Sequence, residues 1–292
     1  MSSSLAAQAA QLWAKYSSMP IADDWSALSP AKLDIDAFEW QSGTTPLSHV
    51  YYPLGAVAVY YVVIFALQAF MKNRERVNVK WIVFVHNTLL LLWSVVMFLG
   101  IVSVALPLGL AKGPYHLLCN PDDSMLAGGR LTFFMYIYYL SKFIELIDTV
   151  ILVLKKLPLT VLHTFHHGVV VIMVWTWIEW GWGLTFWGAG FNTFVHCFMY
   201  YLFARASIAS TPYRPWWKKH LTSLQLLQFF SVLILIFVWF YACSTGPFNV
   251  VVFSQAVNII FLVLFTNFYL QTYVWKTRGA AAAGEAGKKK KQ

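Results

Sequence analysis

Charge-free apolar runs long enough to cross a bilayer recur along this chain, and they constrain it more than any other feature. Tyr51 to Met71 and Leu221 to Ala242 contain no Asp, Glu, Lys or Arg. About 20 apolar residues in a helix span a hydrocarbon core of roughly 30 Å. One such run can be a buried core helix of a soluble protein. Runs at 51–71, 81–105, 132–154, 161–178, 184–204, 221–243 and 250–274 predict instead an all-α polytopic membrane protein, a bundle of about seven transmembrane helices enclosing a cytosol-facing pocket. Pro107 and Gly109 predict that the second run ends near 105–110. Composition agrees, with 11% charged residues against roughly 25% in a soluble domain.

The net charge of +9 would suggest a nucleic-acid partner in a soluble protein. Here the basic residues sit between the apolar runs, so they are a topology signal and no nucleic acid is expected. One set of alternate loops carries Lys72, Arg74, Arg76 and Lys80, then Lys155 and Lys156, then Arg205, Arg214, Lys218 and Lys219, then Lys276, Arg278 and Lys288 to Lys291. The opposite set carries Lys15, Lys32, Lys112 and Arg130. The positive-inside rule places residues 1–50, a polar segment without the apolar stretch of a signal peptide, in the lumen. Residues 51–275 form the membrane domain, and 276–292 form a cytosolic basic tail. The tail is expected to be disordered; its Lys289 and Lys290 stand where a dilysine retrieval signal would, and a basic tail facing anionic lipid is the plainer reading.

Polar residues at membrane depth are costly and mark functional sites by default. Lys142, Glu145, Asp148 and Thr149 stand at steps of three and four, on one helix face. A structural ion pair between Lys142 and Glu145 would explain two of them and leave Asp148 over. His163, His166 and His167 open the next run, and three imidazoles within five residues are hard to explain as packing. Asn192 and His196 lie one turn apart, as do Gln225 and Gln228 with Thr222; singly, each can be helix glue. Asn87, Asn267 and Tyr269 reach the same depth. All are expected to face one layer near the cytosolic side.

These residues resemble the ELO family of very-long-chain fatty acid elongases, over roughly residues 50 to 275. The KxxExxDT pattern is matched by Lys142, Glu145, Asp148 and Thr149, the HxxHH box by His163, His166 and His167, NxxxHxxMY by Asn192, His196, Met199 and Tyr200, and TxxQxxQ by Thr222, Gln225 and Gln228. Leu202 and Phe203 stand where the family often has two tyrosines. Pro158 and Thr164 around the histidine box are similar to members acting on saturated or monounsaturated chains. The resemblance implies an endoplasmic-reticulum 3-ketoacyl-CoA synthase that condenses acyl-CoA with malonyl-CoA and needs no cofactor. It also implies membrane lipid, the reductases and dehydratase of the elongation cycle and, as a homo-oligomer, further copies of itself as the company such an enzyme keeps.

It points to His166 as an acyl-carrying nucleophile, since neutral imidazole attacks thioesters when its other nitrogen is oriented. His163, His167 and Asp148 are then expected to hold the imidazole tautomers, and His196 to assist from the facing helix. Lys142, Gln225 and Asn192 are expected to donate to a developing oxyanion, with Glu145 orienting Lys142. Gln228, Tyr200, Thr149, Asn87, Asn267 and Tyr269 would line the substrate pocket, and Lys218 and Lys219, with Lys155 and Lys156, would meet the phosphates of CoA. Rival readings are a di-iron desaturase or hydroxylase, which needs more histidine boxes than the lone His49, His86, His116 and His220 supply, and a non-enzymatic seven-span receptor or carrier.

Topology places Cys119 and Cys243 on the same oxidising side, with Cys197 inside a span. We expect the first two to form a disulfide; the alternative is two thiols too far apart, because a bridge needs Cα atoms within about 7 Å. Acyl-chain length depends on which side chain closes the apolar channel, with Trp175, Trp177, Trp187 and Trp239 as candidates.

Overall fold

The computed structural model describes residues 5–119, 128–213, 215–243 and 247–275. Among them there is no β-strand. Arg214 and the whole basic tail, with its dilysine, lie outside the described residues. The helices are α1 (Leu5–Ser17), α2 (Tyr51–Met71), α3 (Lys80–Cys119), α4 (Gly129–Glu145), α5 (Ile147–Leu154), α6 (Val161–Glu179), α7 (Thr185–Ile208), α8 (Lys218–Ala242) and α9 (Phe248–Tyr269), the last continuing as a π-helical turn through Leu270–Trp275.

Five of these helices, α2, α3, α6, α8 and α9 with its π turn, are long and apolar enough to cross a membrane. Their outer faces are apolar: Val59, Val62 and Phe65 on α2 and Leu89, Leu92, Val96 and Leu99 on α3 are all more than half exposed. Contiguous apolar surface of that extent is stable only against lipid or another apolar partner. The chain is therefore a multi-pass membrane protein. Helices α4 and α5 are each too short to cross alone, with 17 and 8 residues, whereas α7 is long enough but carries Asn192 and His196, which lower its hydropathy. These two, with Lys142 and Glu145 of α4, are buried among the other helices rather than facing outward. Leu146, between α4 and α5, keeps right-handed helical dihedrals, so the two run on as one rod.

The second apolar run does not stop near Pro107. Helix α3 passes through it and breaks at Gly113, whose φ of 82° and ψ of 171° lie in a region open to glycine. Pro114 follows, and a proline is tolerated at the first position of a new helical segment, where no N–H is required. Within a bundle, neighbouring helices also tolerate an interior proline such as Pro107. Helix α3 packs chiefly against α7 and also against α4. At Gly100 the Phe134 ring of α4 occupies the space a Cβ would need, with its nearest carbon 2.1 Å from that position. Only a glycine allows that approach.

Cys119 and Cys243 are joined in a disulfide with Cα atoms 5.1 Å apart. The bond ties the ends of α3 and α8. At the same end, the segment before α2 is part of the bundle rather than a separate polar appendage. Tyr136 donates to the Pro46 carbonyl at 3.1 Å, Tyr139 to that of Leu47 at 2.9 Å, and the Trp175 indole to that of Ser48 at 2.6 Å. Ser48 and His49 are fully buried, and a His49 ring nitrogen meets the Tyr16 carbonyl at 2.9 Å. A single carboxylate at the end of α6, Glu179, receives Lys15 (3.2 Å), the Tyr16 hydroxyl (2.9 Å), the Trp40 indole (3.0 Å) and the Ser42 hydroxyl.

Candidate active site

Helix periodicity brings the sequence motifs together. On α4, steps of three and four turn Tyr138, Ser141, Lys142 and Glu145 inward, all of them buried. Lys142 Nζ lies 2.7 Å from Glu145 Oε1 and 4.1 Å above the Tyr138 ring. Ser141 donates to the same carboxylate oxygen at 3.1 Å. Across the bundle, Asn192 Oδ1 of α7 accepts from the Tyr138 hydroxyl at 3.0 Å and from Lys142 at 3.4 Å. The Asn192 amide nitrogen reaches His196 Nε2 at 3.3 Å, while Nδ1 of His196 faces Glu145 at 3.8 Å. The Lys142 charge is thus neutralised and held by a ring of partners, as a buried ammonium requires.

The histidine box is positioned by the start of α6, where Thr160 caps the helix by accepting from the His163 N–H at 3.2 Å. Its three imidazoles have different surroundings. His163 meets the Thr149 hydroxyl at 2.9 Å, and Thr149 meets the Tyr60 hydroxyl of α2 at 3.0 Å. His167 is buried, its ring 4.3 Å from that of His163, and its Nδ1 has no partner. His166 packs against Phe261 of α9, ring centres 4.7 Å apart, and lines a cavity; its Nδ1 also has no partner.

That environment corrects two expectations. Among the described residues Asp148 makes no hydrogen bond to the box; Thr149, one residue on, reaches His163. The carboxylate is held instead by His86 of α3, at 2.9 Å, and by the Tyr200 hydroxyl, at 3.3 Å. His86, which stands outside every motif, is a site residue that the sequence pattern did not single out. The second correction concerns His166, whose orientation comes from packing against rings rather than from a hydrogen bond to His163, His167 or Asp148.

The space between the walls of the cavity is about 740 Å³, open solvent at its mouth included. Tyr138, Lys142, His166, Asn192 and Gln228 surround one end, and it continues past Val170, Met173 and Phe229 to Trp177, Trp182 and Leu235. From His166 to Trp177 on α6 this is about 16 Å at 1.5 Å per residue. It therefore extends from the polar layer toward the disulfide end. Gln225 stands off it, its amide 4.0 Å from Met199 Sδ. Asn87 is buried but bonds the Val83 carbonyl of its own helix. Asn267 is exposed, pairs with Gln271 and is not part of this cavity's wall. Tyr269 lies beneath Lys219, 5.8 Å from its ammonium, and Lys218 and Lys219 are exposed at the basic end. Lys156 there reaches the Lys72 carbonyl at 3.3 Å.

Residues 45–281 match the model of the ELO family, described as GNS1/SUR4. The chain belongs to the ELO family. Every motif residue above lies within the match, whereas Lys15, Tyr16, Trp40 and Ser42 precede it. Among similar proteins, fatty acid elongase sre1 of Dictyostelium discoideum is 36% identical over 246 residues, covering 82% of this chain and 90% of that protein. Fatty acid elongase A of the same organism is 34% identical over 252 residues, 83% of this chain and 90% of the relative. Very long chain fatty acid elongase 5 of Rattus norvegicus is 33% identical over 223 residues, 74% and 72% respectively. ELO membership thus rests on most of the chain, including the whole helical site.

Proposed function

We propose that this ELO protein elongates fatty acids as a 3-ketoacyl-CoA synthase, joining acyl-CoA to malonyl-CoA with release of CO2 and CoA. The observation that carries the reading is the placement of His166 and Lys142 on the wall of one elongated, largely apolar cavity, in a chain whose relatives are named fatty acid elongases. An acyl chain fits the apolar stretch, and its carbonyl then meets the polar end.

In the proposed reaction Nε2 of His166 attacks the acyl thioester carbon. The C–S bond breaks, CoA departs as the thiol with the imidazole proton, and an acyl-imidazole remains. Malonyl-CoA loses CO2 to give an enolate, whose carbon attacks the acyl carbon. The C–N bond then breaks, and the leaving imidazole takes a proton from solvent. Lys142, held by Glu145, Tyr138 and Asn192, stabilises the oxyanion in both halves. Asn192 orients His196 beside it.

The same reading gives about seven passes, counting α4 with α5 as one rod and adding α7 to the five apolar helices. Basic residues at the Lys72, Lys155 and Lys218 end put that end in the cytosol and the disulfide end in the lumen of the endoplasmic reticulum. Exposed lysines there meet the phosphates of CoA. Purified protein incubated with acyl-CoA and labelled malonyl-CoA tests the function: labelled 3-ketoacyl-CoA is expected, and no product across a panel of chain lengths refutes it. Release of free CoA from acyl-CoA alone is expected of the two-step route. CoA release that requires malonyl-CoA would reduce His166 to a general base.

A further inference from the structure

The end of the cavity remote from His166 is not uniformly apolar. Trp182, Thr185, Ser254 and Gln255 all contribute to its wall. Three indoles line the cavity, and two of them have partners. Trp177 Nε1 donates to Ser254 at 2.8 Å, and Trp187 Nε1 donates to Ser231 at 3.1 Å. The third, Trp182, is 5% exposed, and its Nε1 has no hydrogen-bond partner among the described residues. Nε2 of Gln255 is likewise buried without one. Leaving a buried donor unpaired costs about 1–3 kcal/mol, and such groups cluster where a ligand or a specific constraint supplies the reason.

The two donors approach the same region from different elements. Trp182 follows Trp177 by one turn, its N–H reaching the Trp177 carbonyl at 3.2 Å. The Trp177 indole itself reaches Ser254, the neighbour of Gln255 on α9. Trp182 also packs against Trp239 of α8, with ring centres 6.2 Å apart, so its ring is held in place. A plain hydrocarbon tail reaching this end would leave both N–H groups unpaired. A tail with an oxygen there would accept from them.

Building on the acyl-chain reading of the cavity, we infer that Trp182 and Gln255 form a hydrogen-bonding terminus that selects acyl chains carrying an oxygen, as hydroxyl or carbonyl, at or next to the end remote from CoA. A carbonyl oxygen needs only the two donors. A hydroxyl also finds an acceptor in the Thr185 side-chain oxygen, which donates its own proton to the Trp182 carbonyl at 2.6 Å. Because both donors are fixed relative to His166, the selection operates at one chain length and is absent in shorter chains that do not reach them.

The test compares kcat/KM of the purified full-length enzyme for paired acyl-CoAs over a series of lengths, each length as the plain chain, the terminal alcohol and the penultimate ketone. The expected result is a preference for the oxygenated chains of roughly tenfold at one length, the worth of about one hydrogen bond at 1.4 kcal/mol per decade. Trp182→Phe, which keeps the ring and removes the donor, and Gln255→Met should each bring that ratio toward one. Elongation of plain chains with no preference at any length overturns the inference and leaves the elongase reading standing. A preference that survives in both variants also overturns it, and elongation of no chain at all overturns both.

Discussion

His86 Nε2 lies 2.9 Å from Asp148 Oδ1, joining a histidine of α3 to a carboxylate of α5 across 62 residues of sequence. Tyr200 of α7 takes the other carboxylate oxygen, so Asp148 links three helices. Thr149, the next residue, passes that placement to the histidine box through His163.

His86→Phe should therefore lower kcat about tenfold, the effect of one lost buried hydrogen bond to a charged group. His86→Gln, which keeps a donor near the same position, should recover most of the rate. Steady-state kinetics on both variants checks this; equal loss in the two would assign His86 to packing alone.

Thr149→Val keeps the shape of the side chain, takes from His163 the hydroxyl that meets its Nε2, and leaves Tyr60 only its longer bond to the Thr164 carbonyl at 3.4 Å. Turnover should fall by about one order of magnitude, since an abandoned buried group costs about 1–3 kcal/mol. Thr149→Ser should stay within a few-fold of the parent. A valine variant with full turnover would show that His163 needs no such support.

Glu179→Gln removes the charge that collects Lys15, Tyr16, Trp40 and Ser42. The expected loss is about 2–3 kcal/mol of stability, as for hydrogen bonds to a charged acceptor. It should appear as a lower midpoint of thermal unfolding in detergent, accompanied by faster proteolysis before residue 50. An unchanged midpoint would mean that the neutral amide serves equally well.

Thiol labelling of the denatured protein should modify Cys197 alone without reductant, and Cys119 and Cys243 as well after reduction, because the latter two are paired. Mass spectrometry counts the labels. Three labels without reductant would exclude the bond.

The sequence was most informative where function required charge inside an apolar run. Lys142, Glu145, Asn192 and His196 meet within hydrogen-bonding range or close to it, as helical spacing on α4 and α7 suggested. It was least informative about residues that stand alone. His86 had no neighbour at helical spacing to mark its face, although a lone imidazole in an apolar run was itself a signal of a buried partner. Asn267 misled in the opposite direction, because depth along a helix says nothing of its face: it lies about 180° around α9 from cavity-lining Asn258 at 100° per residue. The partners of Glu179 come from the polar segment expected in the lumen ahead of the membrane domain, and no periodicity in it foretells that the end of α1 and the loop after it are tied to one carboxylate.

The carbonyls of Pro46, Leu47 and Ser48 rest on Tyr136, Tyr139 and Trp175, and this reverses the order of synthesis. The ribosome makes those carbonyls first, yet nothing exists to receive the last of them until the end of α6 has been translated and inserted. The beginning of the chain must wait, unsatisfied and hydrated, while the helices that will hold it arrive. Its seating is thus a late event in biogenesis, and a protease or antibody that recognises residues 38–50 would distinguish nascent bundles from finished ones.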